Sequence, residues 1–138
     1  MKAFEIKNNL NKAVYFGIVK KIILTSYPKE YVIFRQGEPG DALYIIKNGQ
    51  VGIYKQTQTQ SDPLKLIAGV SGGMFFGEMA LVSDEPRNAT AKCLEDSDIF
   101  ILSKGDFKSL MDSNPALAQQ ISATMVDRLN QNDQNKSF

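Results

Sequence analysis

The sequence lacks histidine and tryptophan, and its 138 residues include a single cysteine. Histidine is the usual general base near neutral pH and the commonest metal ligand, so its absence excludes hydrolase triads and histidine-based metal sites. Because Cys93 stands alone, an intramolecular disulfide and a Cys-x-x-Cys zinc or redox site are also excluded. We therefore expect no catalytic residue and no metal, and a reducing, cytoplasmic location.

An excess of charge of either sign is also missing. The chain has 16 basic and 15 acidic side chains, a formal net charge of +1. Nucleic acids and anionic membranes are bound through clustered basic residues, so we expect no direct nucleic-acid partner. No apolar run approaches the roughly 20 residues of a membrane helix, and the first residues lack the apolar core of a signal peptide. We therefore expect no membrane span.

What the sequence does contain is a pattern of short β-branched and aromatic runs over residues 18–102, separated by turn residues. Asn48-Gly49 lies between two such runs and predicts a hairpin with a type I′ turn. Short strands at this spacing are typical of an antiparallel sandwich or barrel. The fold predicted is mainly β with helices: an antiparallel, jelly-roll-like β-roll in a single domain covering residues 1–138.

Both ends of the chain are predicted to be helical. Residues 1–17 form a short N-terminal segment, and residues 103–131 form two C-terminal helices followed by a polar tail at 132–138. Ser103 caps the first of these helices, and Asn114 with Pro115 opens the second. An apolar stripe on the second helix is interpreted as packing on the barrel, and its end could also cover the base of a ligand or pair with a second subunit. The stripe consists of Leu117, Ile121, Met125 and Leu129.

The segment 72–91 behaves neither as a strand nor as an ordinary loop. Its glycine-rich start leads into a short apolar turn, FGEMAL at 76–81, whose backbone N–H groups offer a site for an anion. The planar guanidinium of Arg87 can hold two phosphate oxygens at once. A carboxylate beside a phosphate, here Glu78, is useful for gripping a hydroxyl. A phosphate together with a sugar hydroxyl indicates a nucleotide.

Two motifs carry a resemblance to a known family. The stretches 76–81 (FGEMAL) and 86–90 (PRNAT) resemble the phosphate-binding cassette of the cyclic nucleotide-binding domain family. That family includes the catabolite activator protein, regulatory subunits of cyclic-AMP-dependent protein kinase and cyclic-nucleotide-gated channels. Residues 37–51 resemble its glycine-rich hairpin motif, in the same order along the chain. The resemblance implies a β-roll with a short helical cassette that binds cyclic AMP or cyclic GMP without catalysis.

The resemblance also implies a role for each site residue. Glu78 would accept a hydrogen bond from the ribose 2′-OH, and Arg87 would pair with the exocyclic phosphate oxygens. The backbone N–H groups of Ala80 and Asn88 would donate to that phosphate, and Gly77 would let the backbone approach the ribose. The implied ligand-binding residues are Gly77, Glu78, Met79, Ala80, Arg87, Asn88 and Ala89, with Ile53, Ile67 and Val70 as apolar contacts to the base.

Other positions in the resembling region leave choices open. The Asn88 amide could reach the phosphate or a guanine amino group, so the cyclic GMP alternative stands beside cyclic AMP. By the same resemblance, about Asn132 and Asp133 would face the adenine amino group. The glycines of the hairpin motif are interpreted as turn residues outside the site. They are Gly37, Gly40 and Gly49.

Simpler interpretations compete with this one. Arg87 could be a surface arginine paired with Asp84 or Glu85, and Glu78 only a carboxylate at a helix start. The whole chain could be a scaffold domain that binds no nucleotide. A metal-dependent cupin enzyme is opposed by the absence of histidine, and a DNA-binding regulator by the balanced charge. We predict a stand-alone, non-enzymatic sensor whose partners are a cyclic nucleotide and either an effector protein or a second copy bound through the C-terminal helix.

Overall fold

A computed structural model of the chain describes residues 23–56, 64–81 and 84–116 and the single positions 8, 12, 15, 17 and 119. Within these residues two β-sheets are followed by an α-helix. The strands are β1 (Ile23–Tyr27), β2 (Val32–Phe34), β3 (Ala42–Asn48), β4 (Gln50–Lys55), β5 (Lys65–Ser71), β6 (Phe75–Phe76), β7 (Thr90–Cys93) and β8 (Ser97–Ser103). A 3-10 helix, Glu78–Leu81, lies between β6 and β7, and helix α1 covers Lys104–Ser113.

In the described part of the chain each sheet has four strands, in the orders β1-β8-β3-β6 and β2-β7-β4-β5, and all the pairs are antiparallel. The inward positions of both sheets form the core, in which Cys93 is fully buried. Side chains point alternately to the two faces of a strand, and consecutive buried residues such as Ile45 and Ile46 show that β3 is buried on both faces. The predicted antiparallel β-roll is confirmed. The core cluster consists of Phe34, Ile46, Val51, Ile53, Val70, Phe76, Ala89, Ala91, Cys93 and Ile99.

The predicted hairpin at Asn48-Gly49 is wrong. Strand β3 pairs with β6 and β8, whereas β4 pairs with β5 and β7, so this turn carries the chain from one sheet to the other. Gly49 has a φ of 105°, but Asn48 does not share the positive φ that a type I′ turn requires. A Cβ on Gly49 would collide with Ser97, because the corner brings the start of β8 against the glycine.

The first C-terminal helix forms as predicted. The Ser103 side chain accepts a hydrogen bond from the backbone N–H of Asp106 at 3.2 Å, which confirms the predicted N-cap. Phe107 and Leu110 bury one face of α1, and the N–H of Asn114 donates to the Leu110 carbonyl at its end. Pro115 follows in helical conformation. The apolar stripe beyond it, the tail and most of the predicted N-terminal segment lie outside the described residues.

Candidate functional site

The 3-10 helix starts where the sequence predicts a short turn. Strand β6 aligns Phe76 with Tyr44 of β3, and Gly77 then takes a φ of 79°. A Cβ at Gly77 would lie 2.9 Å from Arg87 Nη1, so both the backbone conformation and the close approach require glycine. The Ala80 N–H donates to the Gly77 carbonyl over a long 3.4 Å. The turn therefore brings the FGEMAL segment directly against Arg87.

The backbone of Arg87 is held by the turn between β2 and β3. Its N–H donates to the Glu38 carbonyl at 2.7 Å, and its carbonyl accepts from the Gly37 N–H at 2.8 Å. A little further along, the Gln36 N–H donates to Thr90 Oγ1 at 3.0 Å. These bonds fix the arginine Cα against the glycine-rich motif, although the two segments are far apart in the sequence.

The Arg87 side chain points into the fold and is only 8% exposed. Nη1 donates to the Gly77 carbonyl at 3.0 Å and Nη2 to the Ala42 carbonyl at 3.1 Å. The Phe34 ring centroid lies 4.2 Å from Cζ, so the guanidinium stacks on an aromatic face. Asp84 instead lies 3.4 Å from the Lys104 ammonium. The interpretation of Arg87 as a surface arginine paired with Asp84 is therefore wrong.

The electrostatics of this arginine suit an anion. Burial lowers the pKa of the guanidinium, while interactions with Tyr44 and Asp41 oppose that change. The two carbonyls that accept its hydrogen bonds are neutral, and Asp41, Glu38 and Tyr44 stabilise the positive charge only in part. Nε is buried and donates no hydrogen bond to any residue that the structure describes. A guanidinium presents several N–H groups in one plane, and those left over here can bind oxygens of a ligand.

Glu78 is the first residue of the 3-10 helix and is 1% exposed. It makes contacts within the fold, while its Oε2 is a buried atom that accepts no hydrogen bond from the described part of the chain. Glu78 directly follows Gly77, whose carbonyl accepts the hydrogen bond from Arg87. The backbone of Glu78 therefore adjoins one of the hydrogen-bond acceptors of Arg87.

The remaining predicted residues divide into two groups. Around the arginine, Ala80 and Ala89 are buried and Met79 and Asn88 are half-buried. The structure brings Gly77 into direct contact with Arg87, while a joint role of the other cassette residues in binding stays a prediction. The three residues predicted to contact the base lie in or against the core cluster: Ile53 and Val70 are fully buried and Ile67 is half-buried. Their contact with a base stays a prediction, and Asn132 and Asp133 lie outside the described residues.

Sequence reasoning missed three residues that touch the guanidinium. A Cβ on Gly40 would collide with Arg87 Nε and Cζ, so this glycine leaves room for the arginine and is more than a turn residue. Phe34 provides the stacking face, and the Ala42 carbonyl accepts one of the hydrogen bonds. Because Gly40 belongs to a glycine-rich motif, the sequence could have indicated that another group packs closely against it. An aromatic residue at the end of a short strand, in contrast, looks like any core residue.

Other kinds of site receive no support from the described residues. Among residues 23–56, 64–81 and 84–116 and the isolated described positions, no three or more His, Cys, Asp or Glu side chains are arranged to hold a metal ion. In the same part of the chain no helix combines the length and apolar character needed to cross a membrane.

Comparison with known proteins identifies the class to which this fold and site belong. Residues 24–114 match the family model described as the cyclic nucleotide-binding domain. This match covers the strands, the 3-10 helix, Arg87 and α1. The chain belongs to the cyclic nucleotide-binding domain family.

Individual relatives agree with this assignment. A cyclic nucleotide-gated potassium channel from Mesorhizobium japonicum is 32% identical over 126 residues, covering 91% of this chain and 33% of the channel. The cyclic AMP receptor protein of Thermus thermophilus is 31% identical over 107 residues, covering 78% of this chain and 49% of that protein. The crystal structure of the Thermus thermophilus catabolite activator protein has a TM-score of 0.76 at 27% identity, covering 91% of this chain and 56% of that one. The chain thus spans about a third to a half of the length of these relatives.

Proposed function

We propose that this chain binds cyclic AMP as a non-catalytic regulatory sensor. The observation that carries the proposal is the buried Arg87, which is held in place by neutral carbonyls and has N–H donors left over beside the FGEMAL turn. A cyclic phosphate carries one negative charge, which one guanidinium can neutralise without a metal ion. The name of the Thermus thermophilus cyclic AMP receptor protein supports cyclic AMP as the nucleotide.

Each part of the ligand has a matching group in this site. The guanidinium of Arg87 binds the exocyclic phosphate oxygens, and the buried Glu78 carboxylate accepts a hydrogen bond from the ribose 2′-OH. The backbone N–H groups of Ala80 and Asn88 add donors to the phosphate. The Ala80 N–H is well suited, because its present hydrogen bond to Gly77 is long and weak. Gly77 keeps side-chain atoms away from the ribose.

Calorimetric titration with cyclic AMP tests the proposal. We expect saturable binding to the wild-type chain and a loss of about 100-fold or more in Arg87→Ala, since charge-assisted hydrogen bonds contribute about 1.5–3 kcal/mol each and about 1.4 kcal/mol corresponds to a factor of ten. Arg35→Ala is the matched control, because Arg35 is exposed on the neighbouring turn. We expect its affinity to equal that of the wild type.

Two results would contradict the proposal. Absence of saturable binding to the wild-type chain would favour the scaffold alternative. Equal affinities of wild type and Arg87→Ala for cyclic AMP would show that Arg87 does not bind the nucleotide. A parallel titration with cyclic GMP decides the choice of base: the half-buried Asn88 beside the arginine is the feature that favours cyclic GMP. If cyclic GMP binds more tightly, Asn88→Ala should remove that preference.

We further propose that binding changes the position of the C-terminal helices. Two backbone contacts join the site to α1. Arg87 Nη2 donates to the Ala42 carbonyl, and the carbonyl of the preceding residue, Asp41, accepts a hydrogen bond from the backbone N–H of Lys104 at 2.8 Å. A ligand that alters the guanidinium thus acts on the start of the helix. An effector protein, or a second copy of the chain, would respond to that movement.

Hydrogen exchange tests the conformational response. We expect amide protection within residues 104–113 to differ between the ligand-free chain and the chain saturated with cyclic AMP, because α1 begins at the contact with Asp41. The exposed turn at residues 28–31 precedes β2 in the sequence, whereas the glycine-rich motif follows it. This turn serves as an internal reference. Identical protection of α1 in both states would show a binder without a helix response.

A further inference from the structure

Three aromatic side chains form a cluster beside Arg87, here called the aromatic cluster: Phe34, Tyr44 and Phe76. The ring centroids of Tyr44 and Phe76 are 5.2 Å apart in a stacked arrangement. Phe34 lies 5.6 Å from Tyr44 and 5.9 Å from Phe76, with tilted rings. Phe34 comes from β2 and the other two rings come from β3 and β6, so the cluster joins the two sheets. Its packing fixes the position of each ring.

Phe34 is the member that stacks most closely on the arginine. Its ring centroid is 4.2 Å from Arg87 Cζ, compared with 5.6 Å for Tyr44. An aromatic face attracts a guanidinium within about 6 Å and orients its plane. The stacked face does not use the N–H groups, which lie in the guanidinium plane and point outward. Stacking therefore leaves the donors of Arg87 available.

The carbonyls and the ring act on different degrees of freedom of the side chain. The carbonyls of Gly77 and Ala42 hold Nη1 and Nη2 at the edge of the guanidinium. These bonds alone still permit the plane to tilt, whereas contact with the Phe34 ring restrains the tilt. Gly40 completes the enclosure, since a Cβ there would collide with the guanidinium. The orientation of Arg87 is thus set before any ligand arrives, which lowers the entropic cost of binding.

We infer that Phe34 is a positioning residue for the anion-binding arginine, and that ligand affinity depends on an aromatic ring at this position rather than on apolar bulk. The inference rests on the proposed function, because the anion considered is the phosphate of cyclic AMP. Phe34 acts through Arg87 and supplies no hydrogen bond of its own. A shorter apolar residue at position 34 would keep the core closed but would release the guanidinium plane.

Calorimetry on matched variants measures the effect on affinity. We expect Phe34→Leu and Phe34→Met to bind cyclic AMP roughly tenfold more weakly than the wild type, since both remove the ring but keep an apolar side chain. Phe34→Tyr retains the ring and should bind cyclic AMP with the same affinity as the wild type. Phe100→Leu is the packing control, because Phe100 is also buried but belongs to β8 and lies outside the core cluster that contains Phe34. If Phe34→Leu and Phe34→Met bind as tightly as Phe100→Leu, the inference is overturned.

A second measurement needs no ligand. In the ligand-free wild-type chain, the Arg87 Nε–H should give a sharp NMR signal shifted by the Phe34 ring, and Phe34→Met should broaden or lose it. Phe100→Leu should leave the signal unchanged. If the wild type fails to bind cyclic AMP, the proposed function fails and this spectrum alone decides the positioning role. A signal that is identical in wild type and Phe34→Met would overturn that role whatever the binding result.

Discussion

At the scale of single residues, the chain places an arginine where burial opposes its charge and then surrounds it with glycine, aromatic rings and carbonyls. Desolvation lowers the pKa of Arg87, yet its fixed partners at Gly77 and Ala42 are neutral. A cation left in this state stabilises the fold less than a well-packed apolar side chain would. Such an arrangement is typical of a binding site, where groups that bind the ligand lower the stability of the ligand-free fold.

Gly40 leaves the space beside the Arg87 guanidinium. In Gly40→Ala the new Cβ would occupy the space of Arg87 Nε and Cζ and displace the guanidinium. The backbone itself should tolerate alanine, because Gly40 is not among the residues with positive φ. We therefore expect a loss of cyclic AMP affinity of about tenfold or more with little change in the unfolding midpoint, measured by calorimetry and thermal denaturation.

Gly69→Ala is the matched control for this substitution. Gly69 also lacks a positive φ, and a Cβ there meets no other atom within 4 Å. Its affinity and unfolding midpoint should match those of the wild type. Equal affinities of Gly40→Ala and Gly69→Ala would show that the space beside the guanidinium is not needed for binding.

At the scale of elements, local chemistry predicted the strands and the helix cap but not how the strands are paired. The Ser103 cap depends on residues within one turn of helix, so it is legible in the sequence. The turn at Asn48-Gly49 is also local, but pairing of Ile46 with Ile99 across the sheet decides that β3 and β4 separate. Strand register depends on which side chains are buried against distant parts of the chain, and a turn dipeptide carries no information about that burial.

The same distinction explains what could be predicted of the site. Glu78 and Arg87 are recognisable because their spacing and neighbours form a short motif. The burial of Arg87 and its bond to Ala42, which lies 45 positions away, depend on the packing of β3 against the cassette. Phe34 was missed for the same reason: nothing in its neighbours along the chain distinguishes a ring that stacks on an arginine from one that only fills the core.

Asp98 of β8 links three adjacent strands. It accepts hydrogen bonds from Ser26 of β1 at 2.6 Å and Asn48 of β3 at 3.1 Å, and these bonds lower its pKa below the usual 3.8. A carboxyl whose pKa is lower in the folded state than in the unfolded state stabilises the fold when the pH is above the unfolded-state pKa. This contribution is lost as the pH falls through the folded-state pKa. Asp98→Asn should therefore reduce the free energy of unfolding at pH 7 by about 0.5–1 kcal/mol.

Urea denaturation of wild type and Asp98→Asn at a series of pH values provides the measurement. The difference between the two proteins should be largest near neutral pH and should shrink once the pH is below the lowered pKa of Asp98. Asp96→Asn is a suitable comparison, because Asp96 accepts its hydrogen bond from the backbone N–H of Lys29 in a loop. A difference between wild type and Asp98→Asn that stays constant from neutral to acid pH would contradict the assigned role.

At the scale of the whole molecule, the site joins the two sheets. Arg87 leads into β7 of one sheet and stacks on Phe34 of β2 in the same sheet, whereas its hydrogen-bond acceptors, Gly77 and Ala42, belong to the end of β6 and the start of β3 in the other. A ligand that binds Arg87 and Glu78 together adds bonds across this junction. Such a ligand should stabilise the β-roll as a unit rather than one loop of it.

Cyclic AMP at 100 times its dissociation constant should stabilise the wild-type chain by about 2.7 kcal/mol, which corresponds to a rise of roughly 8 °C in the unfolding midpoint for a domain of this size. Because the site joins both sheets, scanning calorimetry should show one transition that moves as a whole. With affinity about 100-fold weaker, Arg87→Ala should rise by only about 1 °C or less at the same cyclic AMP concentration, while Arg35→Ala should behave as the wild type. A ligand that splits the transition, so that only part of the wild-type enthalpy moves to higher temperature, would show that the two sheets are not coupled through Arg87.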